Sequence, residues 1–179
     1  MKIAKSMMAA AVFAAASYGA SAYAADISQA PEALAVIDNS AFFGDSFMAN
    51  NNANTFADQF TFSVTSMPTT FNAIVASISG SADTGLDISN LGLYTSTGTL
   101  VTSGTLGSSG AMDIWTLNGA TLAVGNYYLQ VSGSMVSNTG GSFGGSVMLQ
   151  PVPEPETYGM MLAGLGVVGL LARRRKGAK

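Results

Sequence analysis

A period of two constrains this chain more than any other feature. Phe60, Phe62 and Val64 alternate with Thr61, Ser63 and Thr65, as in a strand with one buried face and one wet face. Residues 71–78 (FNAIVASI) are more continuously apolar and predict a central strand covered on both faces. Residues 91–95 and 99–101 flank Thr97-Gly98 and read as a hairpin. Further strands are expected over residues 112–117 and 127–131, and a last one carries Phe143, Val147 and Leu149. In residues 127–132, Tyr127, Leu129 and Val131 share one face, while Tyr128, Gln130 and Ser132 share the other. Asn118-Gly119 forms either a tight hairpin turn or part of the loop before that strand. No helix-period stretch appears between residues 41 and 150. About eight short strands over that span predict an all-β fold, an antiparallel sandwich or jelly roll.

Charge narrows the function. All seven basic residues lie at the ends and all ten acidic residues lie between them, so no Lys or Arg occurs from Ser6 to Ala172. A body without cations cannot neutralise phosphates, which excludes nucleic acid as a partner, and it has no attraction to anionic headgroups. The chain has no His and no Cys. Disulfides, thiolate chemistry, Ser-His-Asp triads and Ser-Lys dyads are therefore excluded from the body. No enzyme activity and no cofactor are expected. Metal binding would need oxygen ligands, hence calcium. Asp83 and Asp87, four residues apart in one predicted loop, are its weak candidates beside the simpler reading of a solvated turn.

Both ends read as addresses. Lys2 and Lys5 precede a short apolar run, and Ala22-Tyr23-Ala24 supplies a small-x-small cleavage pattern. Residues 1–24 thus predict a signal helix removed by signal peptidase, with the mature chain beginning at Ala25. Residues 25–40 are expected to form a loosely packed arm, and residues 41–150 the sandwich. The last segment, residues 151–179, holds Pro153, Glu154 and Pro155, an apolar run from Met160 to Ala172, and then Arg173, Arg174, Arg175 and Lys176. Proline makes the spacer extended. Thirteen helical residues span about 20 Å, short of a hydrocarbon core of about 30 Å. The basic cluster predicts a cytoplasmic stop for a short, single transmembrane helix. Gly164, Gly166 and Gly169 satisfy G-x-G-x-x-G, but without a preceding strand they are small residues of that helix.

This tripartite tail resembles the PEP-CTERM sorting signal of Gram-negative bacteria. The resemblance makes Pro153, Glu154 and Pro155 the recognition motif and Arg173, Arg174, Arg175 and Lys176 the membrane stop. It implies processing by exosortase, passage through the inner membrane, an outer-surface or extracellular-matrix destination, and a link to exopolysaccharide and biofilm. Phe56, Asp58 and Phe60 resemble the motif of the FxDxF family of such proteins, and Phe43-Gly44-Asp45-Ser46-Phe47 repeats it. In a strand each Asp shares a face with its two Phe neighbours, where burial is costly without a hydrogen bond or ion. Each Asp is expected to cap a turn at a strand start while the Phe residues fill the core. The alternative is a calcium ligand or a glycan-contacting edge. Residues 115–133 resemble the late strands of bacterial pre-peptidase sandwich modules. Together these features predict a structural or adhesive surface protein. The other readings are a non-catalytic carbohydrate-binding module, an ice-binding face, or a calcium-dependent adhesin.

Overall fold

The computed structural model describes residues 24–65, 68–152 and 155–176. The predicted signal helix through Tyr23, with Ala22 of the cleavage pattern, lies outside the described residues, as do Pro153 and Glu154.

Among the described residues ten strands form two five-stranded sheets that face each other. The first sheet runs β1 (Glu32–Ala33), β3 (Thr55–Val64), β9 (Gly125–Met135), β5 (Leu86–Thr95), β6 (Leu100–Ser103). The second runs β2 (Ser40–Phe47), β10 (Gly141–Pro151), β4 (Thr69–Ile78), β8 (Met112–Leu122), β7 (Thr105–Ser108). Every pairing is antiparallel except that of β1 with β3. This is the predicted sandwich, with ten strands where about eight were expected.

The alternation in β3 places Phe56, Asp58, Phe60, Phe62 and Val64 inside and Thr55, Ala57, Gln59, Thr61 and Ser63 outside. β9 obeys the same rule: Leu129 and Val131 are fully buried, whereas Tyr128, Gln130 and Ser132 face out. The β5–β6 hairpin turns at Gly98, whose φ of 86° suits glycine, with Thr95 N–H bonded to Thr99 O.

Three expectations need correction. β4 is central in its sheet but covered on one face only, because the outer face of a two-layer sandwich meets solvent: Ile74 and Ile78 are exposed there. Asn118-Gly119 lies within β8 rather than in a turn, at a bulge against Phe71 and Ala73, with Gly119 N–H donating to Asn72 Oδ1. The arm is not loose. Ile27 N–H bonds Thr55 O, Leu34 N–H bonds Thr61 O, and Ile27 and Leu34 pack on the core.

The C-terminal segment folds as α1 (Pro155–Lys176), a 22-residue helix about 33 Å long at the usual rise. Its described apolar side chains, such as Met160, Leu162 and Leu165, are more than half exposed. No helix among the described residues is long and apolar enough to cross a membrane. The physical reason is that its apolar run is short and interrupted by glycines, with Glu156 before it and Arg173 and Arg174 after it.

Gly133 on β9 has no room for a side chain: a Cβ there would overlap the Asp87 carbonyl and the Phe56 ring. Gly133→Val is expected to destabilise the sandwich by about 2–4 kcal/mol through overpacking and backbone displacement. Urea unfolding of the variant beside wild type checks this; an unchanged midpoint contradicts it.

Candidate functional site

Two features carry chemistry: a pair of acidic residues between the sheets, and the junction of the sandwich with its tail. The acidic pair arises from the repeated motif. β2 of one sheet lies over β3 of the other, so the two Phe-x-Asp-x-Phe segments meet face to face and run oppositely. Phe43 packs on Phe60 with ring centroids 4.8 Å apart, and Phe47 packs on Phe56 at 4.7 Å. Asp45 and Asp58 occupy the middle of each segment and are brought together between those aromatic pairs. Neither Asp starts a strand, so the expected turn-capping role is corrected; the expected core role of the Phe residues holds.

Asp58 is fully buried. Its Oδ1 accepts from Gln29 N–H at 2.8 Å, while its Oδ2 is buried without a hydrogen-bond donor. Burial pushes the Asp58 carboxyl up to about 6; the Gln29 bond opposes this, and Asp45 and Asp26 add repulsion. Apolar surroundings and the facing Asp45 disfavour the ionised form of Asp58, and a proton on Asp58 supplies an O–H that Asp45 can accept. Asp26, on the exposed arm, is held below the usual range by hydrogen bonds from Ser28 Oγ–H and N–H. The Ser28 hydroxyl oxygen in turn accepts from Ala57 N–H at 2.7 Å, which fastens the arm beside Asp58.

The weak calcium candidates are separated by secondary structure. Asp83 stays in the turn after β4, whereas Asp87 is the second residue of β5. Burial raises the Asp87 carboxyl, with Asp113 and Asp83 adding repulsion. Asp113 is the residue the sequence reading missed. It is buried and accepts from Ile88 N–H at 2.9 Å, Ser77 Oγ–H at 3.1 Å and Gly110 N–H at 3.1 Å. Those bonds make it a brace between the sheets, and the only sequence signal was a carboxylate in an alternating strand. Among the described residues no group of three or more acidic side chains is placed to hold a metal ion.

The tail begins where the sandwich ends. β10 finishes at Pro151, and Val152 N–H bonds Pro68 O at 2.9 Å, the last described tie before the Pro-Glu-Pro spacer. Pro155 starts the helix, and Arg173 and Arg174 are exposed near its end. At the other end, Ala25 N–H donates to Asn54 Oδ1 and Ala25 O accepts from Thr55 N–H, so the predicted mature terminus is seated against β3. Ala24, the last residue of the predicted signal segment, is exposed.

The geometry defines a class: a two-layer β-sandwich followed by a separate C-terminal helical segment. Residues 151–176 match the family model of the PEP-CTERM protein-sorting motif. That motif implies exosortase-dependent export and association with the cell envelope. No curated protein matches the chain. Among solved structures, it is similar to the pre-peptidase C-terminal domain of collagenase from Bacillus anthracis, at 16% identity and a TM-score of 0.39 over 66% of this chain and 95% of that one. It is also similar to PliG of Aeromonas hydrophila, a periplasmic inhibitor of g-type lysozyme, at 15% identity and a TM-score of 0.40 over 70% of this chain and 100% of that one. Overlaps this partial carry no functional argument.

The acidic pair sets a pH dependence. A carboxyl whose folded pKa exceeds its ordinary value of 3.8 contributes stability in acid that is lost as pH rises through about 6. Wild type is expected to melt at lower temperature at pH 8 than at pH 5. Asp58→Asn, which keeps the acceptor for Gln29 and adds a donor toward Asp45, is expected to raise the pH 8 melting temperature by several degrees and flatten the profile between these pH values. Calorimetry at both pH values checks this, and a variant destabilised equally at both contradicts it.

Proposed function

We propose that this protein is a non-catalytic, structural or adhesive component of the bacterial surface or extracellular matrix, delivered there by exosortase and associated with exopolysaccharide. The observation that carries the reading is the position of the sorting motif: residues 151–176 begin as the final strand ends. A cut at the Pro-Glu-Pro spacer would leave every strand in place. Signal peptidase acts first in this reading, and its product begins at Ala25. The tail helix is then held transiently in the inner membrane. Its apolar run is shorter than the hydrocarbon core, so the bilayer thins locally and Arg173 and Arg174 reach the cytoplasmic interface. A marginal anchor of this kind suits an intermediate awaiting processing. The two Phe-x-Asp-x-Phe segments support placement in the FxDxF family of sorted proteins. The absence of His, Cys and body cations supports the non-catalytic reading.

Fractionation of cells making wild type or a Pro153→Ala/Glu154→Ala double variant tests the route. Wild type is expected to lose its C-terminal segment and reach the outer surface or medium, with the variant retained full-length in the inner membrane. Equal sizes and equal locations for the two proteins would rule the route out.

A further inference from the structure

The outer face of the first sheet carries two tyrosines that the core does not use. Register places Thr61, Tyr128 and Tyr94 in one row across β3, β9 and β5, and Gln59, Gln130 and Gly92 in the next. The Tyr94 and Tyr128 rings stack, with centroids 5.1 Å apart and planes 10° apart, and both are half-buried. Gly92 makes this possible, because a Cβ there would collide with the Tyr94 ring. Beside the rings, Gln59 Nε2 donates to Gln130 Oε1 at 3.3 Å, Gln130 Nε2 to Ser132 Oγ at 3.1 Å, and Ser63 Oγ to Asn126 Oδ1 at 2.7 Å.

The arm turns this face into a groove. Pro31, Leu34 and Val36 wall a space of about 700 Å³ whose floor includes Gln59, Thr61, Asn126 and Tyr128. The wall is fixed in place, since Leu34 N–H bonds Thr61 O at 2.8 Å and Thr61 Oγ–H bonds Glu32 O at 3.2 Å. No charged side chain lines the groove.

The geometry points to a binding site for an uncharged oligosaccharide on this face, with the Tyr128 ring, braced by its stack on Tyr94, as the stacking platform and Gln59, held by Gln130, as the hydroxyl reader. The electron-rich face of a tyrosine ring attracts the C–H bonds along one side of a pyranose. Side-chain amides offer both a donor and an acceptor, as sugar hydroxyls require. Strand spacing of about 4.8 Å repeats these groups along an extended ligand. An acidic glycan has no cation here to pair with. A peptide adding as a strand has no free edge of β3 to join where β1 is paired to it. The site does not depend on the sorting route, since an unsorted sandwich carries the same groove.

Titration calorimetry of the full chain in detergent micelles tests this, using hexasaccharides of glucose, mannose and galactose beside an oligo-uronate. At least one neutral hexasaccharide is expected to bind in the micromolar-to-millimolar range. Tyr128→Ala is expected to weaken it by about tenfold or more and Gln130→Ala severalfold, while both variants still melt cooperatively. Should Tyr128→Ala fail to fold, the side-chain amide resonances of Gln59, Gln130 and Asn126 in wild type decide the matter, because they must shift on titration. Absence of binding by all three neutral sugars overturns the site, as does preference for the oligo-uronate. Affinity unchanged in Gln130→Ala and in a folded Tyr128→Ala, or amide resonances that stay still while others move, overturns it too.

Discussion

The sandwich depends on aromatic rings packing across the gap between its sheets. With no Lys, Arg or His in the body, no ion pair between side chains can tie one sheet to the other there. Phenylalanines do so instead: Phe43 on Phe60, Phe47 on Phe56, Phe143 stacked on Phe56 at 5.5 Å, and Phe62 on Phe71 at 4.9 Å. Each ring removes a large apolar area from water, and offset or tilted pairs add about 0.5–1.5 kcal/mol beyond burial. Glycine supplies the matching clearance. Gly133 and Gly145 leave space that the Phe56 and Phe43 rings fill, so the repeated motif and the glycines of the neighbouring paired strands form one fitted unit.

That same constraint explains the unusual Asp58. A strand long enough to present Phe56 and Phe60 inward must present residue 58 inward as well. A hydrophobic residue would fill the position at no electrostatic penalty. An aspartate there demands partners, and the arm and β2 supply them through Gln29 and Asp45. The arm is therefore a structural element in its own right. It satisfies a carboxyl between the sheets, completes the edge of β3, and walls the groove on the outer face.

Much of the fold was legible because burial in a two-layer sheet writes a period of two into the sequence. β3 and β9 follow it residue for residue, and Gly98 marks its turn by the backbone it must adopt. What was not legible is long-range. That β2 lies over β3, bringing Asp45 to Asp58, follows from the stacking of two sheets and leaves no local trace. The polar arm looked loose because its ties are backbone bonds and short side-chain caps, which composition does not reveal. Asp113 was invisible for the same reason: its three donors come from β4, β5 and the turn before β8. Bulges at Ser89 and Asn118-Gly119 shift register without changing strand character, so alternation alone could not place them. The tail was readable because its signal is contiguous and chemical rather than tertiary.

The division of charge links the parts. Every basic residue lies within a terminal segment that processing would remove, and residues 25–150 keep eight carboxylates and no cation. Such a body repels acidic polymers and membranes at neutral pH, at a range set by ionic strength. In the proposed reading, attachment to a matrix comes from uncharged contacts such as the stacked tyrosines and paired amides beside the arm. Burial raises the Asp58 carboxyl on the inside, so protonation in mild acid relieves its repulsion with Asp45 and stabilises the sandwich without altering the charge of that outer face. The proposed binding surface and the Asp45–Asp58 seam thus lie on opposite sides of β3, joined through one strand and one arm.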